Sequence, residues 1–182
     1  MFAVALDEYR CESLAFSPDA TMLAVGGSNG LVGLWRVDTG RPLRHFVHDL
    51  LGAAVRAVAF SPDGTLLAAV GGNHLKVRDL RTGRLVLKRQ HPDDLTAVAI
   101  DDTNTRIATA CLDGVLRVWS RRGGLVAEQA NACGGGTRRL CFGPDGTVAT
   151  SDDPGAELEA RSADGRLVAT VTAGGVRVAE IR

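Results

Sequence analysis

With 182 residues, 45% of them hydrophobic and 23% charged, the chain is long and apolar enough for one globular domain, which excludes a disordered protein. Its 21 basic residues balance 21 acidic residues, so it lacks the positive charge that drives non-specific binding of nucleic acid. No apolar run is long enough to span a membrane, and the four cysteines form no CxxC pair, which favours a reducing, cytoplasmic location.

Four segments of the chain repeat one pattern, in which an apolar run ends on a bulky anchor and is followed by a turn and a second apolar run. They read, in chain order, LAFSPDATMLAVGG, VAFSPDGTLLAAVGG, VAIDDTNTRIATAC and LCFGPDGTVATSD. Their anchors are separated by 44, 40 and 42 residues and are Phe16, Phe60, Ile100 and Phe142. This period is typical of one propeller blade, whereas ankyrin and leucine-rich repeats are shorter.

Four short strands are predicted in each repeat, and the second repeat shows them most completely. Its first strand covers residues 56–61, and Pro62-Asp63-Gly64 turns the chain into a second strand at 66–70. Third strands are predicted at 31–37, 75–80 and 115–120, and fourth strands at 42–47, 84–89, 125–129 and 166–171. No stretch keeps a helical period without a glycine or a turn, so the sequence predicts an all-β fold.

The clearest local pattern is a hairpin over residues 105–120, TRIATACLDGVLRVWS, with Asp113-Gly114 as its turn. This hairpin and the FSPDG turn at 60–64 recur in register, and the unit resembles the WD-repeat (Trp-Asp repeat) β-propeller family. The repeats are degenerate, because neither Trp35 nor Trp119 is followed by Asp. The resemblance implies a β-propeller of about four WD-type blades, each a four-stranded antiparallel sheet.

The period predicts a single domain, residues 1–182, with blades at about 11–54, 55–95, 96–137 and 138–182. By the resemblance, a strand within residues 1–10 can close the ring. Residues 164–178 can also be aligned with the second and third strands of a compressed last blade, but the regular spacing favours 166–171 as a fourth strand. Seven such blades need about 300 residues. The chain therefore closes as a small ring, pairs with a second copy, or is part of a larger protein.

By the resemblance, a buried His, Ser or Thr, Asp and Trp lock a blade of this family through a chain of hydrogen bonds. His48 and His91 stand where the family's histidine falls, but only one repeat has all four residue types, and its predicted structural tetrad is His91, Thr109, Asp113 and Trp119. Each such group is destabilising by about 1–3 kcal/mol when buried without a partner. A hydrolase triad is the alternative, but Thr is a rare nucleophile and a triad leaves the Trp unexplained.

By the resemblance, the loops that lead into the innermost strands form one broad face that binds proteins or peptides. The residues four positions before the anchors are equivalent and lie near the start of these strands: Glu12, Arg56, Thr96 and Arg138. Ser28 and Leu112, each just before a hairpin turn, are placed beside them. Arginines suit bidentate hydrogen bonds to the carboxylates of a protein or acidic peptide, although solvated surface residues are the alternative interpretation.

The sequence thus favours a non-catalytic protein-interaction scaffold with a protein or peptide partner. One alternative is a half-propeller whose homodimer forms a complete ring. Another is a propeller-type hydrolase, which would need carboxylates or histidines that converge on the channel, whereas the predicted innermost strands contain mostly Ala, Val and Leu. His45 and His48 lie three apart on a predicted strand and point to opposite faces, so we expect no metal site and no cofactor.

Overall fold

The computed structural model describes residues 2–4, 10–132, 137, 139–151, 159–164, 166–172 and 175–180. These residues form strands and turns without a helix, so none of them lies in a helix that could cross a membrane. The all-β prediction is confirmed. The strands are β1 (Phe2–Val4), β2 (Cys11–Phe16), β3 (Met22–Gly27), β4 (Leu31–Arg36), β5 (Pro42–Val47), β6 (Val55–Phe60), β7 (Leu66–Gly71), β8 (His74–Asp79), β9 (Leu85–Gln90), β10 (Leu95–Ile100), β11 (Arg106–Cys111), β12 (Leu116–Ser120), β13 (Leu125–Gln129), β14 (Arg139–Phe142), β15 (Val148–Ser151), β16 (Glu159–Arg161), β17 (Leu167–Thr172) and β18 (Gly175–Glu180).

The described strands form five antiparallel sheets, which we number 1 to 5. Sheets 1, 2 and 3 each contain four consecutive strands in chain order: β2–β5, β6–β9 and β10–β13. Sheet 4 is the pair β14–β15, and sheet 5 has the order β1-β18-β17-β16. The strands β16, β2, β6, β10 and β14 contact one another in sequence from sheet to sheet, which makes them the innermost strands. Each four-stranded sheet is consistent with one WD-type blade.

A polar turn joins the first two strands of a sheet and accounts for the repeated Ser-Pro-Asp segment. In sheet 2 the Ser61 hydroxyl donates to Asp63 Oδ1 (2.6 Å), which also accepts the backbone N–H of Thr65 (3.0 Å). Gly64 between them adopts a φ of 70°, a left-handed conformation that suits glycine. The same two bonds recur in sheet 1 among Ser17, Asp19 and Thr21. These bonds fix where the first strand ends and the second begins.

Buried apolar side chains between neighbouring sheets form the core. Sheets 2 and 3 share a cluster that includes Leu66, Leu75, Leu95 and Ile107, and each such side chain contributes about 1.5–3 kcal/mol by leaving water. Similar clusters join sheet 1 to sheet 2, sheet 3 to sheet 4, and sheet 5 to sheet 1. No apolar cluster of described residues joins sheet 4 to sheet 5. The described sheets thus form the row 5-1-2-3-4, an incomplete propeller.

Sheets 1 and 2 lie in close contact beside Gly26. The Ser13 hydroxyl donates to the backbone oxygen of Val55 (2.9 Å), which links the innermost strands of the two sheets. A Cβ on Gly26 would lie 2.2 Å from Ser13 Oγ and 2.8 Å from that same oxygen. Glycine is therefore required at this position for the two sheets to share the bond.

The C-terminal part of the chain differs from the regular-period prediction. β17 and β18 form a hairpin, and β16 pairs with the other edge of β17. The predicted fourth strand at 166–171 is therefore the second strand of sheet 5, in agreement with the hairpin interpretation of 164–178. The predicted fourth blade, 138–182, divides into sheets 4 and 5.

Burial explains this difference from the regular period. Ala169, Val176 and Val178 of sheet 5 pack against the buried side chains of sheet 1, which a place beside sheet 4 would not allow. β1 completes sheet 5 by pairing with β18, so that Phe2 lies opposite Val178. The first described strand of the chain thus belongs to the same sheet as the last.

Candidate functional site

Each innermost strand of sheets 1 to 3 begins with a β-bulge. Cys11 pairs with Gly27 and Ser13 pairs with Gly26, so the residue between Cys11 and Ser13 has no partner on β3. The same shift occurs in β6 and β10, and the three unpaired residues are Glu12, Arg56 and Thr96. A bulge re-aims a side chain, and here it places an acid, a guanidinium and a hydroxyl at the same end of three adjacent strands.

These bulged residues differ in exposure and in their partners. Arg56 is exposed, whereas Glu12 and Thr96 are half-buried. The Thr96 hydroxyl lies 3.5 Å from the backbone oxygen of Ala110, while neither Glu12 nor Arg56 forms an ion pair with another described residue. The predicted fourth member, Arg138, lies outside the described residues. The charges of Glu12 and Arg56 are therefore available to a ligand at this end of the sheets.

Two further predicted residues lie in loops at the same end. The Ser28 backbone N–H donates to Arg10 O (2.8 Å), and the Arg10 N–H donates to Ser28 Oγ (3.0 Å), which holds the start of the β3–β4 loop. Leu112 begins the β11–β12 loop, donates its N–H to Asp94 O (2.8 Å) and is 43% exposed. We call the set Glu12, Ser28, Arg56, Thr96 and Leu112 the bulge face.

Three of the four predicted tetrad residues meet inside sheet 3. His91 Nε2 lies 3.0 Å from Thr109 Oγ1, and the Trp119 indole N–H donates to the same oxygen (3.1 Å). The imidazole and the indole also make an edge-to-face contact, with ring centroids 5.2 Å apart. The Thr109 hydroxyl donates to the backbone oxygen of Arg117 (3.4 Å), so it can accept from both the Trp119 indole N–H and a His91 Nε2–H. One hydroxyl thus satisfies two rings.

Asp113 does not complete this network as predicted. Its Oδ1 accepts the Val115 N–H (2.9 Å), and its Oδ2 pairs with Arg117 Nη1 (2.8 Å). Among the described residues, the buried His91 Nδ1 has no hydrogen-bond partner. The reason is competition from Arg117, which also pairs through Nη2 with Glu128 (3.0 Å) and offers Asp113 a full positive charge.

Electrostatics agrees with this pairing. Burial raises the pKa of Asp113, but the Val115 N–H and the Arg117 guanidinium outweigh it, so the carboxylate stays ionised. Burial, with a smaller contribution from Arg117, lowers the pKa of His91 to about 4. The imidazole is therefore neutral at pH 7, and Asp113 serves as the counterion of Arg117.

Sheet 2 contains a simpler version of the same arrangement. His48 is buried, and its Nε2 lies 3.3 Å from the backbone oxygen of Gly71. Burial lowers the pKa of His48 to about 4. Both histidines that stand at the family's histidine position are thus buried in neutral form.

The chemistry that these residues can perform is limited by burial. Thr109 is fully buried, so its hydroxyl cannot reach a substrate, and the Asp113 carboxylate is not positioned to orient His91. Among the described residues, no group of three or more His, Cys, Asp and Glu could hold a metal ion. The geometry of the tetrad residues suits a structural network.

A cavity of about 430 Å³ lies at the opposite end of sheet 1, against the β2–β3 and β4–β5 turns. Its lining includes Met22, Val37 and Leu43, together with the ion pair between Arg36 and Asp38. That pair is more than half exposed and already neutralised, so it offers a ligand little net charge.

Sequence reasoning missed the role of Arg117. The residue stands between Leu116 and Val118 in an alternating strand, a pattern that predicts a solvent-facing side chain, yet it is only 8% exposed. The signal that could have revealed it is the carboxylate four positions earlier, Asp113, together with Glu128, which lies directly opposite on β13.

The comparison with family models matches this chain to "WD domain, G-beta repeat" at residues 8–36, 40–79 and 83–120. These stretches contain β2–β4, β5–β8 and β9–β12, so each of the last two combines the outer strand of one sheet with three strands of the next. A comparison with curated proteins found no match. Because the family matches cover more than half of the chain, the protein belongs to the WD-repeat family.

Proposed function

We propose that the protein is a non-catalytic scaffold that binds a protein or peptide partner through the bulge face. Repeats of this family generally mediate interactions between proteins. The observation that supports this particular surface is the β-bulge repeated at Glu12, Arg56 and Thr96, since bulges at strand ends commonly re-aim side chains for binding.

The chemistry of the bulge face supports a polar peptide ligand. The exposed Arg56 guanidinium can donate two parallel hydrogen bonds to a carboxylate, and Glu12 can accept from a basic group. The 43%-exposed Leu112 adds apolar surface beside them. Among its described residues the bulge face has one acid, Glu12, and one base, Arg56, so it lacks the net positive charge that favours nucleic acid or an anionic membrane surface.

Arg56→Glu is expected to weaken binding of the partner at least about tenfold, because it replaces an uncompensated cation with an anion at the centre of the face. Wild-type and variant protein are each immobilised, and the amount of every co-purified protein that each one retains is quantified by mass spectrometry. Arg84→Glu is the matched control, since Arg84 is exposed in the same chain but precedes β9 at the opposite end of sheet 2. Equal retention by wild type and Arg56→Glu would remove this face from the binding site.

A homodimer is the second candidate. Sheet 4 has only two described strands, which leaves the outer edge of β15 unpaired among the described residues, and a second copy could cover such an edge. We expect such an assembly to have a solution mass of twice 19.1 kDa by light scattering. A monomeric mass across micromolar concentrations would contradict it.

We also propose a cytoplasmic location. The three described cysteines, Cys11, Cys111 and Cys141, are free thiols, and the first two are buried. Burial raises the pKa of Cys11 to about 12, which keeps that thiol protonated and unreactive. Free, buried thiols fit a reducing compartment.

A further inference from the structure

Three cations and a histidine line the outer part of the cleft between sheets 1 and 2. His74, Lys76 and Arg78 alternate along β8 with buried apolar residues, so all three lie on the face turned toward sheet 1. Lys88 lies directly opposite Lys76 on β9 and shares that face. We call these four residues the basic cleft.

The cations of the basic cleft are held against the end of β5 and the loop that follows it. Lys76 Nζ donates to the backbone oxygen of His48, and Arg78 Nη2 donates to that of Val47 (3.3 Å). The Arg78 guanidinium also lies over the Phe46 ring, 5.0 Å from its centroid. These contacts use neutral partners, so they position the charges without neutralising them.

No carboxylate among the described residues forms an ion pair with any member of the basic cleft. Like charges placed directly opposite each other on adjacent strands are destabilising, as Lys76 and Lys88 are here. The pKa of His74 is lowered by burial and then by Lys88 and Lys76, which reflects how close the three lie. Asp49 also acts electrostatically on Lys76 and His74, but it is one carboxylate beside Lys76, Arg78 and Lys88, so the cleft retains net positive charge that an external anion could neutralise.

Two exposed leucines stand beside this charge. Leu50 and Leu51 are 91% and 97% exposed at the tip of the loop between β5 and β6. Asp49 supports this loop with two hydrogen bonds: its Oδ1 accepts the Leu51 N–H (2.7 Å), and its N–H donates to Gly30 O (3.1 Å). We call Leu50 and Leu51 the leucine tip.

We propose that the basic cleft and the leucine tip together form a docking surface for an acidic, leucine-containing segment of a protein partner. Carboxylates of the segment neutralise Lys76 and Lys88, and its apolar side chains cover the leucines, which have no other described apolar cover. Nucleic acid fits less well, since its charged backbone offers no apolar surface to cover Leu50 and Leu51. This surface goes beyond the proposed function, because it uses no residue of the bulge face.

The test is binding of a fluorescein-labelled peptide of repeated Glu-Glu-Leu, measured by fluorescence anisotropy with the full chain. We expect saturable binding that weakens as salt is raised from about 50 to about 300 mM, since screening reduces the attraction. Lys88→Glu, at an exposed position, is expected to raise Kd at least about tenfold, and the pair Leu50→Ser with Leu51→Ser to a similar degree. Lys88→Gln, which only removes the charge, should give a smaller loss in the same direction.

Matched variants make the outcome decisive. Arg84→Glu carries the same charge change at the other end of sheet 2, and Leu125→Ser removes a 50%-exposed leucine from sheet 3; both should bind as wild type. Arg56→Glu separates the two surfaces: if it abolished peptide binding while Lys88→Glu did not, the peptide would lie on the bulge face and this proposal would be overturned. The proposal is overturned if wild type shows no saturable binding, if a polyglutamate peptide without leucine binds equally well, or if a DNA duplex binds more tightly than the peptide.

Discussion

Acidification from pH 7 to pH 4.5 is expected to lower the free energy of unfolding by about 4 kcal/mol, through His48 and His91. Burial lowers the pKa of both imidazoles to about 4, whereas their pKa in the unfolded chain is about 6.5. Between these values the unfolded state binds more protons than the folded state, so stability is complete above about pH 6.5 and is lost as pH falls toward 4. Each ring contributes about 2 kcal/mol after allowance for solvent.

Urea unfolding at the two pH values, followed by tryptophan fluorescence, measures this loss. His48→Gln and His91→Gln should each reduce the acid sensitivity by about half, even where they also lower stability at pH 7. His45→Gln, at an exposed position, is the control and should retain the full dependence on pH. A free energy of unfolding that is the same at pH 7 and pH 4.5 would show that the rings are not buried in neutral form.

Thr109→Val is expected to destabilise the protein by about 2–4 kcal/mol, although the two side chains have nearly the same shape. The Thr109 hydroxyl is the shared partner of the Trp119 indole N–H and of His91 Nε2, and the valine methyl satisfies neither. His91 Nδ1 already has no described partner, so the imidazole would lose its only side-chain hydrogen bond. One substitution thus leaves the buried His91 imidazole and the half-buried Trp119 indole without this partner.

Thr109→Ser is the matched variant, because it keeps the hydroxyl and removes only a methyl group, for an expected loss of about 1 kcal/mol. Thr96→Val provides a second comparison, since the Thr96 hydroxyl makes only a long contact of 3.5 Å. The effect of each of these substitutions is measured as the change in the free energy of unfolding in urea. If Thr109→Val proved as stable as Thr109→Ser, the hydroxyl would have no structural role.

The repeats made the fold predictable, because each SPDG-type turn encodes its own hydrogen bonds. The bonds of Asp63 are local, within two residues on either side, so sequence alone places the turn and both flanking strands. Counting back four positions from each anchor residue also identified Glu12, Arg56 and Thr96 as equivalent positions of the repeats. That these residues are bulges was not predictable, since a bulge is defined by the register of the neighbouring strand.

The remaining differences arise from contacts between residues far apart in sequence or from competing charges. Asp113 fits the family's tetrad by position, but Arg117 competes with His91 for its carboxylate, and position alone does not rank the two interactions. Sheet 5 departs from the regular repeat period, because its place in the fold depends on the burial of Val176 and Val178 against sheet 1. Neither outcome is contained in the spacing of the repeats.

The pairing of β1 with β18 has a consequence for the order of assembly. Phe2 and Val178 are 176 residues apart in the chain, whereas sheets 1, 2 and 3 each form from about 40 consecutive residues. Because the entropic cost of loop closure grows with separation along the chain, we expect sheet 5 to be completed last, after the central sheets have brought β1 and β18 together. For the same reason the amide protons of β1 should exchange with solvent sooner than those of β7 or β11, so that the chain opens first where its two ends meet.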